Sequence, residues 1–225
     1  MGVQHLIYTS LQSIYDASNG RLYIHHFESK NRIGKYIRQK GLPATLLYPG
    51  PFYTNFNCAQ YCYWSKSSSS GRQTVVFCSP AAPEKSMGWV DATYDIGSFV
   101  RAAFDKGPAA TTKDYPVNAK NITYESLASL FTAVTGVPAI YKQLTVDEFV
   151  SRAGKTFGFA KGSLLSLDIE RLAEWFMEAP DNKTGFGTMP MSSLEMAEND
   201  LGVYARSWEE YLERTQWKGP PHKNF

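Results

Sequence analysis

Apolar and polar positions alternate between two periods along this chain. Val3 to Thr9 (VQHLIYT) is a short apolar run that ends at Ser10. After a polar, glycine-containing loop, Ile33, Tyr36 and Ile37 recur at helical spacing while Lys30, Arg32, Lys35 and Arg38 take other faces. That spacing predicts an amphipathic helix from His26 to Gln39, stopped by Gly41. Ala44 to Tyr48 (ATLLY) is a near-continuous apolar segment of strand length. Such a run suits a parallel strand with helices on both faces, and Pro49 and Gly50 end it. Strand, helix and strand in this order form a βαβ unit with a right-handed crossover.

Further along, Cys58 to Arg72 contains a serine run and reads as an excursion or loop. Thr74 to Cys78 and Gly88 to Asp91 have the length of accessory strands. Tyr94 to Phe104 is expected to be helical, because Ile96, Val100 and Phe104 lie four apart and Asp91 and Asp95 suit a helix N-terminus. Tyr115 to Ala119 is the next expected strand. From Thr123 the pattern turns mainly helical, with helices at Thr123 to Thr135, Thr145 to Ala153 and Leu164 to Met177. Thr145 with Glu148 forms a capping arrangement, and Ser207, Trp208, Glu209, Glu210 opens a last helix before a Pro-Pro tail. No internal repeat is present. Gly154, Gly158 and Gly162 follow a helix rather than a strand and read as a loop, not a phosphate turn.

Composition narrows the class. The 225 residues carry a net charge of +2, too little to argue for direct nucleic-acid or membrane binding. The basic residues from Arg21 to Lys40 do not interleave with stacking aromatics and read as a solvated helix face. Cys58, Cys62 and Cys78 form neither a disulfide scaffold nor a zinc-ligand pattern, so no metal is expected and a reducing compartment is favoured. The start has no signal-peptide pattern and no stretch reaches the roughly 20 apolar residues of a membrane span. The expectation is a soluble protein, cytoplasmic or nuclear. Trp89, Trp175, Trp208 and Trp217 are expected to be core anchors.

Several segments carry a resemblance. HLIYTS, HHFESK (His25 to Lys30), LPATLLYPGPFYTNF (Leu42 to Phe56) and VDATYDIGSFV (Val90 to Val100) appear in that order. NITYESLASLFTAVTG (Asn121 to Gly136) and DLGVYARSWEEYL (Asp200 to Leu212) follow. Together they resemble the NmrA-like branch of the atypical short-chain dehydrogenase/reductase family. The resemblance implies an α/β fold, an incomplete Rossmann-type parallel sheet with a mainly helical C-terminal lobe. Residues 1–120 would be the downstream part of an NAD(P)-binding domain without its first βαβ units, and 121–225 the lobe. In that family the strand matching Val3 to Thr9 is preceded by further βαβ units carrying a glycine-rich phosphate loop. No G-x-G-x-x-G or G-x-x-G-x-x-G occurs here, so the chain reads as truncated, by nature or by gene model, with dinucleotide binding weakened or lost. Val3 to Thr9 would then be an apolar edge strand, which invites a homodimer, strand exchange or a covering partner.

The resemblance also assigns candidate chemistry. The family's Tyr-x-x-x-Lys pair puts two side chains on one helix face, the Lys holding the nicotinamide ribose of NADP or NAD and assisting proton transfer. Here that spacing is His26 and Lys30, the NmrA-like form, and Ser10 stands where the catalytic Ser falls. The other reading makes His26 and Lys30 solvated helix residues and Ser10 a cap. Tyr48, Pro49, Gly50, Phe52 and Asn55 match the loop lining the nicotinamide and substrate pocket, with Phe52 and Tyr53 as a wall. The alternative is a structural turn with its aromatics packed beneath the lobe. Three functions are open: an NAD(P)-linked reductase acting on a small molecule, a dinucleotide-sensing regulator acting on a protein partner, and a redox-independent cyclase or isomerase of secondary metabolism.

Overall fold

A computed structural model describes residues 2–66 and 71–221. In chain order the strands are β1 (Leu6–Thr9), β2 (Ala44–Pro49), β3 (Cys62–Lys66), β4 (Gln73–Ser79) and β5 (Ser86–Met87). They continue with β6 (Asp114–Val117), β7 (Ile122–Thr123), β8 (Ala139–Gln143), β9 (Lys183–Thr184) and β10 (Met189–Pro190). The helices are α1 (Ile14–Ala17), α2 (His25–Gln39), α3 (Asp95–Lys106), α4 (Pro108–Thr111) and α5 (Tyr124–Thr135). After them come α6 (Val146–Phe157), α7 (Leu164–Glu178), α8 (Ser192–Leu201) and α9 (Trp208–Thr215). The chain divides into two compact units. The first holds residues 1–52, 88–121 and 180–206, the second residues 53–87, 122–179 and 207–225. The polypeptide therefore passes between the two units several times.

The first unit is built on a parallel sheet in the order β1-β2-β6. The expected triplet of strands is thus present. Every residue of β2 is buried, which explains its uninterrupted apolar run: it is the central strand and both faces are covered. On one face Ala44, Leu46 and Tyr48 pack with Ile37 of α2. On the other, Leu47 joins Tyr115 and Val117 of β6, Phe99 of α3 and Leu201 of α8. α2 lies close enough to β1 that a Cβ at Gly34 would sit 3.1 Å from Ser10 Oγ. β1 is an edge strand, as expected. Beside it His5 hydrogen-bonds Thr45 Oγ1 through Nε2 at 2.9 Å and meets the Phe104 ring edge-on.

Gly88 to Asp91 is not a strand. β5 ends at Met87, and Val90 makes only a single bridge, to Phe52. The reason is a close backbone crossing: a Cβ at Gly50 would lie 2.2 Å from the Gly88 carbonyl oxygen. Such an approach leaves no room for a regular ladder.

The second unit pairs β3-β4-β8 in a mixed sheet, with Thr74 to Cys78 as the core of its central strand. Two of these strands depart from the sequence reading. β3 lies inside the expected excursion, whose serine run at 67–70 falls outside the described residues. β8 lies in the region read as helical. α6 and α9 both begin with complete capping boxes, Thr145 with Glu148 and Ser207 with Glu210. Gly154 is inside α6 rather than in a loop, and Gly158 caps that helix in the left-handed region. Trp208 is the centre of an aromatic core with Tyr53, Phe56, Phe77 and Trp217, and its indole N–H donates to Leu127 O at 3.0 Å.

Candidate dinucleotide crevice

In an open parallel sheet, ligands bind outside the carboxyl ends of the strands. Those ends are aligned here: Ser10 N donates to Leu47 O at 2.7 Å and Gly50 N to Val117 O at 3.1 Å. Ser10, Gly50 and Asn118 therefore follow three adjacent strands at one margin of the sheet.

Lys30 reaches this margin from α2. Its Nζ donates to the Thr9 carbonyl at 3.1 Å and stands over the Tyr8 ring. His26, one turn earlier, is exposed at the start of the helix. The i, i+4 pair is thus on one face, with the lysine anchored at the strand end and the histidine open to solvent. Ser10 is 1% exposed and its hydroxyl donates to the Lys30 main-chain carbonyl at 3.2 Å. It ties strand to helix.

The loop after β2 is divided between roles. Tyr48 is buried, and its hydroxyl donates to Asp114 Oδ2 at 3.3 Å; burial first, then the Asp114 charge, raises its phenol above the ordinary value. Pro49 and Gly50 are buried, and Gly50 is required by the Gly88 carbonyl. Phe52 is 38% exposed and ends the first segment of the first unit. Tyr53 is not an open wall: it is buried against Trp208 and Tyr211 within the second unit. Asn55 also belongs to that unit, in the 3-10 turn Tyr53–Asn57.

Sequence reasoning passed over two polar groups near the same margin. Gln12 follows β1, and both of its amide atoms are buried without a hydrogen-bond partner among the described residues. Asn118 follows β6; its Nδ2 donates to Thr184 Oγ1 at 2.6 Å, while Oδ1 has no such partner. A buried polar atom left unpaired costs about 1–3 kcal/mol, which makes these atoms candidates to meet a polar partner. Gln12 abuts a strained turn in which Gly185, Phe186 and Gly187 all have positive φ, at 56°, 57° and 75°. Phe186 is held there by edge-on contact with Phe27 at 4.9 Å. Backbone strain of this kind collects at functional sites.

The family follows from comparison. The NmrA-like family profile matches residues 1–212. This chain belongs to the NmrA-like family. It is 27% identical over 150 residues to the NmrA-like family domain-containing oxidoreductase malD of Malbranchea aurantiaca, covering 64% of this chain and 44% of malD. Over 107 residues it is 27% identical to the nitrogen metabolite repression protein nmr of Neurospora crassa, 47% of this chain and 22% of that protein. Among solved structures, the negative transcriptional regulator NmrA in complex with NAD superposes with a TM-score of 0.71 at 20% identity, over 94% of this chain and 64% of NmrA. The chain thus spans less than half of malD and under two thirds of the solved NmrA chain. Among the described residues no helix is long and apolar enough to cross a membrane, and no cluster of His, Cys, Asp and Glu could hold a metal ion.

Proposed function

We propose that this protein is a dinucleotide-responsive member of the NmrA-like family that binds NAD or NADP without turning it over. The observation that carries this reading is the Lys30 ammonium at the carboxyl end of β1, with His26 rather than a tyrosine one turn away. Lys30 would hold the nicotinamide ribose. The unpaired amide of Gln12 and the unpaired Oδ1 of Asn118 fit a polar ligand group at the same margin. In its reduced form the bound dinucleotide would supply a hydride, but no tyrosine stands at the family position to deliver the matching proton.

The reading includes weak binding. The 225 residues contain no glycine-rich strand-to-helix turn, so they offer the nicotinamide half of a dinucleotide site and no backbone cradle for the pyrophosphate. An assay of NADPH oxidation against a panel of quinones and carbonyl compounds separates sensor from reductase. The expected result is no turnover above background. Sustained turnover that disappears in His26→Ala would overturn the sensor reading.

A further inference from the structure

Within the second unit lies a groove of about 870 Å³, in the size range of small-molecule sites. Its walls are β3, with Cys62, Tyr63 and Trp64, and α6, with Ser151, Arg152, Lys155 and Thr156; Pro220 closes one end. None of these residues belongs to the dinucleotide crevice.

The groove is lined by two cations, Arg152 and Lys155, and by two acids, Asp147 and Glu148. Arg152 lies flat on Tyr63, its guanidinium carbon 4.1 Å from the ring centroid, and one nitrogen donates to Ala59 O at 3.4 Å. A guanidinium carries five donors in a planar fork, so most of them remain for a ligand. Lys155 is one turn along the same helix face, exposed and without an acidic partner among the described residues. Both acids have cationic partners outside the groove lining, and Glu148 also feels the Arg152 charge. Asp147 pairs with Lys161 at 3.1 Å, and Glu148 caps its own helix through Thr145 N at 2.8 Å with Lys142 at 3.9 Å.

The aromatic wall is fixed in place. Trp64 Nε1 donates to Pro220 O at 2.8 Å, so the indole offers apolar surface rather than a donor. A Cβ at Gly219 would lie 2.5 Å from the Trp64 ring, which shows how closely the tail backbone packs on it. Burial pushes the Cys62 thiol well above its ordinary pKa, so this wall adds no thiolate to oppose an anion. Fixed aromatic surface beside a stacked guanidinium and a second cation is pre-organised for a planar anion.

We propose that this groove binds a small aromatic anion, its ring system against Tyr63 and Trp64 and its carboxylate or sulfonate between Arg152 and Lys155. The site is independent of the dinucleotide reading. The fluorescent probe 8-anilinonaphthalene-1-sulfonate tests it, with N-phenyl-1-naphthylamine as the isostere of its uncharged skeleton and 2-naphthoate as a competitor that does not emit in the probe's visible band. The sulfonate should bind with saturable 1:1 enhancement and be displaced by 2-naphthoate. Loss of one charge-assisted contact should weaken it roughly tenfold in Arg152→Gln, and the charge reversal in Lys155→Glu should weaken it at least as much. Lys155 is exposed, so its variant reads charge without disturbing packing, while Lys35→Glu on α2 should leave binding unchanged. Equal binding of the uncharged isostere, no effect of Lys155→Glu, or no saturable binding at all would each overturn the proposal.

Discussion

Lys30 donates its ammonium to the Thr9 main-chain carbonyl across 3.1 Å, so a basic group of α2 is tethered at the carboxyl end of edge strand β1. The tether places a cation at the carboxyl-end margin of the sheet and also occupies a carbonyl of that strand. Charged groups on an edge discourage pairing with other strands. Lys30→Ala should therefore have two effects, loss of dinucleotide contact and increased self-association, the latter read by light scattering at rising protein concentration.

The two glycines of the first unit's core should respond differently to a methyl group. At Gly50 the added Cβ meets the Gly88 carbonyl at 2.2 Å, and backbone cannot move aside cheaply. Gly50→Ala should cost about 3 kcal/mol or more in urea denaturation. At Gly34 the contacts are side-chain atoms of Ser10 and Leu46 at 3.1 and 3.3 Å, and alanine favours the helix by about 1 kcal/mol. Gly34→Ala should stay within about 1 kcal/mol of the parent protein, the crowding and the propensity nearly cancelling.

Asp95 is fully buried and is held by Arg206, which bonds it through Nη1 at 2.8 Å and through its main-chain N at 3.0 Å. Burial raises its carboxyl above the ordinary value and the Arg206 contacts pull it back. Arg206→Ala leaves the carboxylate without its counter-ion and should cost about 3 kcal/mol at pH 7. Its Asp95 pKa should rise further. A raised carboxyl pKa confers stability that is full below the unfolded value and is lost as pH rises through the folded value. The penalty of Arg206→Ala should therefore be smaller near pH 4 than near pH 7 in paired melting curves.

His5 reports on the β1 edge. Burial lowers its imidazole below the ordinary value of 6.5. The stability it contributes is full above that value and falls as pH drops through the lowered folded value, because the unfolded chain takes the proton first. Melting temperatures between pH 7 and pH 5 should fall less steeply in His5→Gln than in the parent protein.

Much of this fold is legible in the sequence because it rests on local signals. The apolar run of β2 declares a central strand, and the pairs Thr145 with Glu148 and Ser207 with Glu210 declare two helix starts. β3 escapes notice because Cys62, Tyr63 and Trp64 are followed at once by a polar stretch. β8 (AIYKQ) lies between two helices and lacks clean alternation; its pairing is parallel to β4, far away in sequence. The placement of Lys30 one turn along α2 from His26 is legible from their spacing. Gln12 and Asn118 are not, since their only signature is an unmet hydrogen bond that exists after folding. Tyr53 decides between the two readings of its loop: one residue after the exposed Phe52, it turns into an aromatic core, as the packed-turn alternative has it.

The most direct test is a calorimetric titration of the 225-residue polypeptide with NADP and, separately, with nicotinamide mononucleotide. One or two charge-assisted hydrogen bonds from Lys30 are worth roughly 1.5–3 kcal/mol each, against the rigid-body entropy of association. The predicted dissociation constant is therefore about 1 mM or weaker. Nicotinamide mononucleotide should bind about as well as the whole dinucleotide, and Lys30→Ala should abolish both signals. Micromolar binding of NADP that is indifferent to Lys30→Ala would contradict the account, and would place the nucleotide on some other surface of the chain.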